Sequence, residues 1–146
     1  MKLKIKRLND NAILPQRATV GSAGFDLYSS LELPIEIAPG ERVLIPTGIA
    51  IELPDNNYVV YIYARSGLSI KNGITLSNCV GVIDSDYRGE IKVGLINLSD
   101  KAYIINPADR IAQMVISPII IPELIVSDNL NNTDRSDGGF GSTGKK

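Results

Sequence analysis

Two polar stretches in an otherwise apolar chain carry side chains able to do chemistry. The first is Gly81-Val82-Ile83-Asp84-Ser85-Asp86-Tyr87-Arg88-Gly89, which follows Asn78 and Cys79 and lies between apolar segments. An Asp-x-Asp pair on an extended segment points to opposite faces, so Asp84 and Asp86 are expected to do different jobs. Aspartates also cap tight turns, and Asp86-Tyr87-Arg88-Gly89 reads as readily as a simple hairpin. The second stretch runs from Arg135 to Lys146 and holds glycines, hydroxyls and cations. Glycines free backbone N–H groups to wrap an anion, Ser142 and Thr143 add donors, and Arg135 adds charge, so phosphate is the natural guest. A solvated terminus is the plainer reading. Against it stands Phe140, a lone aromatic among glycines, whose exposure is costly unless its ring covers something flat such as a base. The stretch is not a P-loop, because Lys145 is followed by Lys146 where Ser or Thr is required.

What is missing narrows the chemistry further. The 146 residues include no histidine, which removes the usual base near neutral pH and the commonest zinc ligand. A hydrolase made from this chain must rely on carboxylates, arginines and a hard metal. Cys79 is the only cysteine, so an internal disulfide and a cysteine-based zinc site are both excluded. The expectation for Cys79 is a small buried apolar residue. Fifteen Lys and Arg against sixteen Asp and Glu leave a net charge of -1, so no basic field exists to hold a polynucleotide. No apolar run approaches the ~20 residues that cross a bilayer, and the opening residues are charged, without the apolar stretch of a secretion signal. A cytoplasmic protein with no membrane contact is expected.

The elements that must position these residues read as strands. Segments at 2–7, 42–52, 58–64, 90–98 and 110–121 are rich in Ile, Val and Tyr, and Pro, Gly, Asn and Asp clusters separate them. In Tyr58-Val59-Val60-Tyr61-Ile62-Tyr63 both faces are apolar, as expected of a strand buried between two layers or against another subunit. Only residues 66–72 have a helical claim, about two turns stopped by Gly73. Many short strands without a long amphipathic helix imply an all-β fold, a jelly roll or β-sandwich. The length suits one domain, burying roughly two-thirds of the surface its unfolded chain exposes. After Val126 the composition turns to Asn, Asp, Gly, Ser and Thr, which cannot bury enough surface to fold alone. The expected division is a catalytic jelly-roll domain over 1–126 and a flexible Gly-rich tail over 127–146.

Five motifs in order give the chain a specific resemblance. They are Ala23-Gly24-Phe25-Asp26-Leu27-Tyr28-Ser29, Arg65-Ser66-Gly67-Leu68, the Gly81-to-Gly89 segment, Arg110-Ile111-Ala112-Gln113, and Arg135 to Gly144. In sequence and approximate spacing they resemble the trimeric dUTPases. The resemblance implies hydrolysis of dUTP to dUMP and pyrophosphate by water attack on the α-phosphate, which limits uracil in DNA and supplies dUMP for dTMP synthesis. It also implies a homotrimer with sites shared between subunits, the tail closing over a neighbour's site.

The same resemblance suggests roles residue by residue. Asp84 looks like the general base that holds the attacking water. Tyr87 looks like a wall against a ribose 2′-hydroxyl. Uracil is expected against the backbone of Gly81, Val82 and Ile83, with Asn78 reading its polar edge. Phosphates are expected at Arg65, Ser66, Gly67 and Gln113, and the γ-phosphate at Arg135, Ser142 and Thr143, with Phe140 and Gly141 over the base. Mg²⁺ is expected mainly on the substrate phosphates, with Asp26 reached through water. Arg110 either joins the site or pairs with an acidic neighbour to hold its strand. Two alternatives compete with this function: a dCTP deaminase-like enzyme of the same fold, for which no matching base motif is found, and a non-catalytic jelly-roll regulatory or assembly module.

Overall fold

The computed structural model describes residues 1–139. Its strands are β1 (Lys4–Arg7), β2 (Phe25–Tyr28), β3 (Ile35–Ile37), β4 (Arg42–Pro46), β5 (Ile49–Glu52), β6 (Tyr58–Tyr63), β7 (Ile74–Leu76), β8 (Gly81–Ile83), β9 (Lys92–Asn97), β10 (Tyr103–Ile105) and β11 (Arg110–Pro118). One helix, α1 (Ser66–Asn72), lies between β6 and β7 and ends on Gly73 in the left-handed region, as its sequence predicts.

Every ladder is antiparallel, and the pairings are nested: β2 with β11, β3 with β10, β4 with β9. Nesting of this kind is what a long two-stranded ribbon makes when it wraps on itself, the jelly-roll pattern that the short strands imply. The sheets are ordered β2-β11-β6-β8 and β4-β9-β7, with the pairs β1-β5 and β10-β3 beside them. Leu27, Val60, Ile62 and Met114 from the first sheet and Ile45, Val93 and Leu95 from the second fill one common core.

The expected strand at 42–52 is two strands, because the chain turns sharply at Gly48, whose φ is +68°. A β-carbon there would stand 2.8 Å from Ala12 Cβ and from Asn9 Oδ1, so only glycine fits. The Gly48 N–H donates to Glu90 Oε1 at 2.9 Å and its carbonyl accepts Leu8 N–H at 2.7 Å. The last strand ends at Pro118 instead of 121, since a proline removes the donor a ladder needs.

Asn97 is fully buried and completely satisfied. Its Nδ2 donates to the carbonyls of Ile37 and Lys101 at 2.9 and 2.7 Å, and its Oδ1 accepts from the Ser99 N–H and hydroxyl at 2.9 and 2.8 Å. This side chain joins β3, β9 and the turn after it.

Only one face of β6 meets the core. Register places Asp26, Gln113 and Tyr63 in one outward row and Val115, Tyr61 and Val82 in the next. The Tyr61 and Tyr63 rings lie 6.1 Å apart, and Tyr63 and Val82 stay exposed in the single chain. Beyond β11, Ile120, Ile121, Leu124, Ile125 and Val126 are exposed as well.

Candidate active site

The residues singled out from sequence fall into two groups at opposite edges of the β2-β11-β6-β8 sheet. The first group forms where β2, β11 and the start of α1 meet. Asp26 and Gln113 are direct partners across the β2-β11 ladder. The Asp26 carboxylate accepts Arg65 Nε at 2.8 Å on one oxygen and a terminal nitrogen of Arg110 at 3.2 Å on the other. Arg65 also donates to the Arg110 carbonyl at 3.2 Å, so the two arginines and the aspartate form a closed triangle. The Gln113 amide donates one hydrogen to the Ala64 carbonyl at 3.0 Å. A β-carbon on Gly24 would stand 2.5 Å from Gln113 Oε1, which explains the bare backbone at that point of the first motif.

These side chains line a hollow of about 170 Å³ with Ser22, Ser66 and Gly67. Arg65 is the residue before the first turn of α1, its backbone is extended, and no side chain caps the helix. The first-turn N–H groups therefore have no intrahelical partner, and Ser66 and Gly67, which carry two of them, line the hollow. Behind Arg65 and Arg110 lies a second hollow of about 300 Å³ that adds Lys71, Tyr103 and Asp109. Burial there, helped by the Asp109 charge, pushes the Tyr103 phenol above its ordinary value. Arg110 thus pairs with an acidic neighbour and holds its strand to β2, while its remaining donors stay beside the hollow.

The second group lies where β8 leaves the sheet. A pocket of about 460 Å³ is lined by Val82, Ile83, Asp84 and Tyr87, together with Leu44 from β4, Lys92 at the start of β9 and Glu90 just before it. Leu44 could not be read from sequence as a neighbour of this segment, because the nested β4-β9 pairing brings it there from a distant part of the chain, whereas Glu90 and Lys92 follow the motif directly without belonging to it. Asp84 to Tyr87 is a tight turn closed by the Tyr87 N–H on the Asp84 carbonyl at 3.2 Å. The expectation that Asp84 and Asp86 sit on an extended strand fails, since β8 stops at Ile83 and alternation stops with it. Both aspartates border one hollow with Asn56, Tyr58 and Ile121.

Asn78 is exposed near this edge, and Gly81 packs its backbone against Ile62, where a β-carbon would meet the Ile62 Cβ at 2.9 Å. Cys79 departs from expectation: it is exposed, with φ of +63°. The Val80 N–H bonds the Asn78 carbonyl at 2.7 Å across it, a γ-turn of the less common hand that leaves no place for its side chain in the core.

The two groups are not brought together within one chain. Asp26 and the β8 residues are separated by three inter-strand steps, roughly 14 Å. Ile83 is level with Val60 whereas Asp26 is level with Tyr63, which adds an offset of about 10 Å along the strands. Arg135 belongs to a local turn, its Nε donating to the Gly138 carbonyl at 2.9 Å, and makes no hydrogen bond to either group among the described residues. Phe140, Gly141, Ser142 and Thr143 lie outside the described residues. Among the described residues no cluster of three metal-ligating side chains exists, and no helix is long and apolar enough to cross a membrane.

This arrangement has close counterparts. The deoxyuridine 5'-triphosphate nucleotidohydrolase of Hydrogenobaculum sp. (strain Y04AAS1) is 55% identical over 146 residues, covering the whole of both chains. The dUTPase of Staphylococcus bacteriophage 80alpha, solved as a mutant with dUpNHpp, superposes with a TM-score of 0.89 at 29% identity over 98% of each chain. A mutant dUTPase from phage phi11 of S. aureus, solved for the coordination of a structural Mg(II) ion, gives a TM-score of 0.82 at 26% identity over 90% of this chain and 100% of that one. A family model for dUTPase matches residues 10–144, and on these grounds the chain belongs to the dUTPase family.

Proposed function

We propose that the protein is a homotrimeric dUTPase that hydrolyses dUTP to dUMP and pyrophosphate by water attack on the α-phosphorus. The observation that carries this reading is the presence, in a member of that family, of an arginine-rich hollow and a carboxylate-bearing pocket at opposite edges of one sheet. The first suits a polyphosphate, and the second suits a base and sugar with a reacting water. Since the two are too far apart to act on one nucleotide from a single chain, each complete site takes Asp84 and Tyr87 from one subunit and Arg65, Ser66, Gly67 and Gln113 from another. The outward tyrosine row and the uncovered apolar residues after β11 support subunit packing, because a lone chain leaves both in water.

In this reading Asp84 aims the water and takes its proton, a task for which a carboxylate is adequate when pyrophosphate leaves. Uracil lies along the backbone of Gly81, Val82 and Ile83, with Asn78 at its polar edge. An unpaired polar group would reject cytosine there, and bulk would reject thymine. Tyr87 closes the space that a 2′-hydroxyl would need. Residues 127–146 act as a tail that closes on a neighbour's site, where Arg135, Ser142 and Thr143 meet the γ-phosphate and Phe140 and Gly141 cover the base, while residues 1–126 form the catalytic domain.

The donor set fits Mg²⁺ held mainly by substrate phosphates. Both Asp26 oxygens already accept an arginine, yet each keeps a lone pair for a metal-bound water, and no protein cage competes among the described residues. When bound, the ion neutralises phosphate charge. The net charge of -1 supports a reading in which the enzyme binds no polynucleotide, and we place it in the cytoplasm.

The decisive assay is pyrophosphate release from dUTP, dTTP, dCTP and UTP, each with and without Mg²⁺. Release from dUTP alone, lost on chelation, is the expected result. Ammonia from dCTP, or no turnover of any of the four, would overturn it.

A further inference from the structure

We propose that Gly89 is a specificity-determining position for the sugar, because the Tyr87 ring occupies the place where a side chain at 89 would stand. A β-carbon built on Gly89 would lie 2.6 Å from Tyr87 Cζ and 3.0 Å from Cε2, well inside contact. The ring thus folds back over its own chain, and its hydroxyl donates to the Glu90 carbonyl at 2.9 Å. The hydroxyl end and one edge of the ring rest on bare backbone. The residue remains 43% exposed and lines the pocket shared with Asp84.

The backbone under the ring is itself held from both sides. Arg88 donates to the carbonyls of Ser85 and Tyr87 at 2.8 and 3.0 Å, which fixes the turn that starts at Asp84. Glu90 accepts the Gly48 N–H through Oε1 at 2.9 Å, which ties the hydroxyl's acceptor residue to the sharp bend before β5. The ring therefore has a fixed foot and a fixed rest. Excluding a single hydroxyl requires a wall placed to within about an ångström, since misplacements of that size change reactivity by up to about 10²-fold. A methyl group at 89 would lift the ring off the Glu90 carbonyl and free its rotamer. The wall would then yield to a ribose.

This inference rests on the reading of Tyr87 as the barrier to the 2′-hydroxyl, and adds the residues that set where the barrier stands. The test compares kcat/KM for dUTP and UTP in Tyr87→Ala, Tyr87→Phe, Gly89→Ala and the Tyr87→Ala/Gly89→Ala double variant, with folding checked by circular dichroism. Tyr87→Ala should give the fully relaxed ratio. Gly89→Ala should shift the ratio of UTP to dUTP by about tenfold towards that value, and Tyr87→Phe, which loses only the hydroxyl anchor, should shift it by less. In the Tyr87→Ala background Gly89→Ala should change nothing further.

An unchanged ratio in Tyr87→Ala would refute the barrier itself, and the inference with it. A relaxed Tyr87→Ala beside parental ratios in Gly89→Ala and Tyr87→Phe would overturn the inference alone. So would an equal loss of activity on both nucleotides in Gly89→Ala, which marks a merely structural glycine. Should Gly89→Ala not fold, Tyr87→Phe decides, and a parental ratio there overturns the proposal.

Discussion

The Asp26 carboxylate accepts Arg65 Nε at 2.8 Å and so ties the middle of β2 to the residue that opens α1. Because the other oxygen takes Arg110 at 3.2 Å, one aspartate aims two guanidinium groups at the same hollow. Asp26→Asn keeps the shape but loses the charge that holds both. We expect kcat/KM for dUTP to fall by about 10- to 100-fold, with a weaker response to Mg²⁺ titration. Steady-state kinetics across a Mg²⁺ series checks this, and a parental titration curve would remove Asp26 from the metal's surroundings.

Asp84→Asn should bind dUTP nearly as well as the parent while turnover drops by about 10²–10⁴-fold, the usual contribution of a positioned base. Binding of a non-hydrolysable dUTP analogue, measured by calorimetry beside single-turnover rates, separates the two quantities. Turnover within a few-fold of the parent would leave Asp84 as a turn residue only.

Asn97→Ala should cost about 2–4 kcal/mol of stability, because the Ile37 carbonyl loses its buried Asn97 donor and the Ser99 N–H loses its acceptor at once. Urea unfolding with a common slope reads this directly. A midpoint unmoved from the parent's would mean that water enters and replaces the amide.

Mixed trimers test whether base and tail come from different chains. One inactive partner carries Asp84→Asn with an intact tail, and the other keeps Asp84 but ends at Asp134. Refolding an equal mixture should leave about a quarter of the sites with both parts intact, since each is supplied in half the cases. A mixture shown by native mass spectrometry to contain heterotrimers, yet no more active than its parents, would refute the shared site.

Much of this was legible in the sequence, and the reasons for the rest are physical. The helix at 66–72 could be read because Gly73 marks its end, and the strand at 58–63 because six β-favouring residues run unbroken. Strands of three residues, such as β3, β7 and β10, carry too few positions for a period to show. Residues 42–52 look continuous because Val43, Leu44 and Ile45 precede Gly48 and Ile49 and Ile51 follow it, and the need for glycine there comes also from Asn9 and Ala12, which only the fold brings close. Asn97 lies near the end of the strand read at 90–98, and its polar type gives no sign of burial. Of the candidate site, the motifs single out Asp26, Arg65, Gln113 and Asp84, but the Asp26 triangle and the approach of Leu44 to the Asp84 pocket depend on nested pairing between distant segments.

The place of β11 inside its sheet bears on how the protein is made. It is the second strand of the row β2-β11-β6-β8, so it hydrogen-bonds on both sides, and no other strand joins β2 to β6. A ribosome that has released everything up to residue 109 has therefore delivered the two outer parts of this sheet with nothing between them. Pairing across such long stretches of chain is slow and leaves strand edges open in the meantime. The growing polypeptide must wait, with β2 and one edge of β6 open, until β11 emerges, which makes the interval before residue 118 the stage at which chaperone capture or self-association is most to be expected.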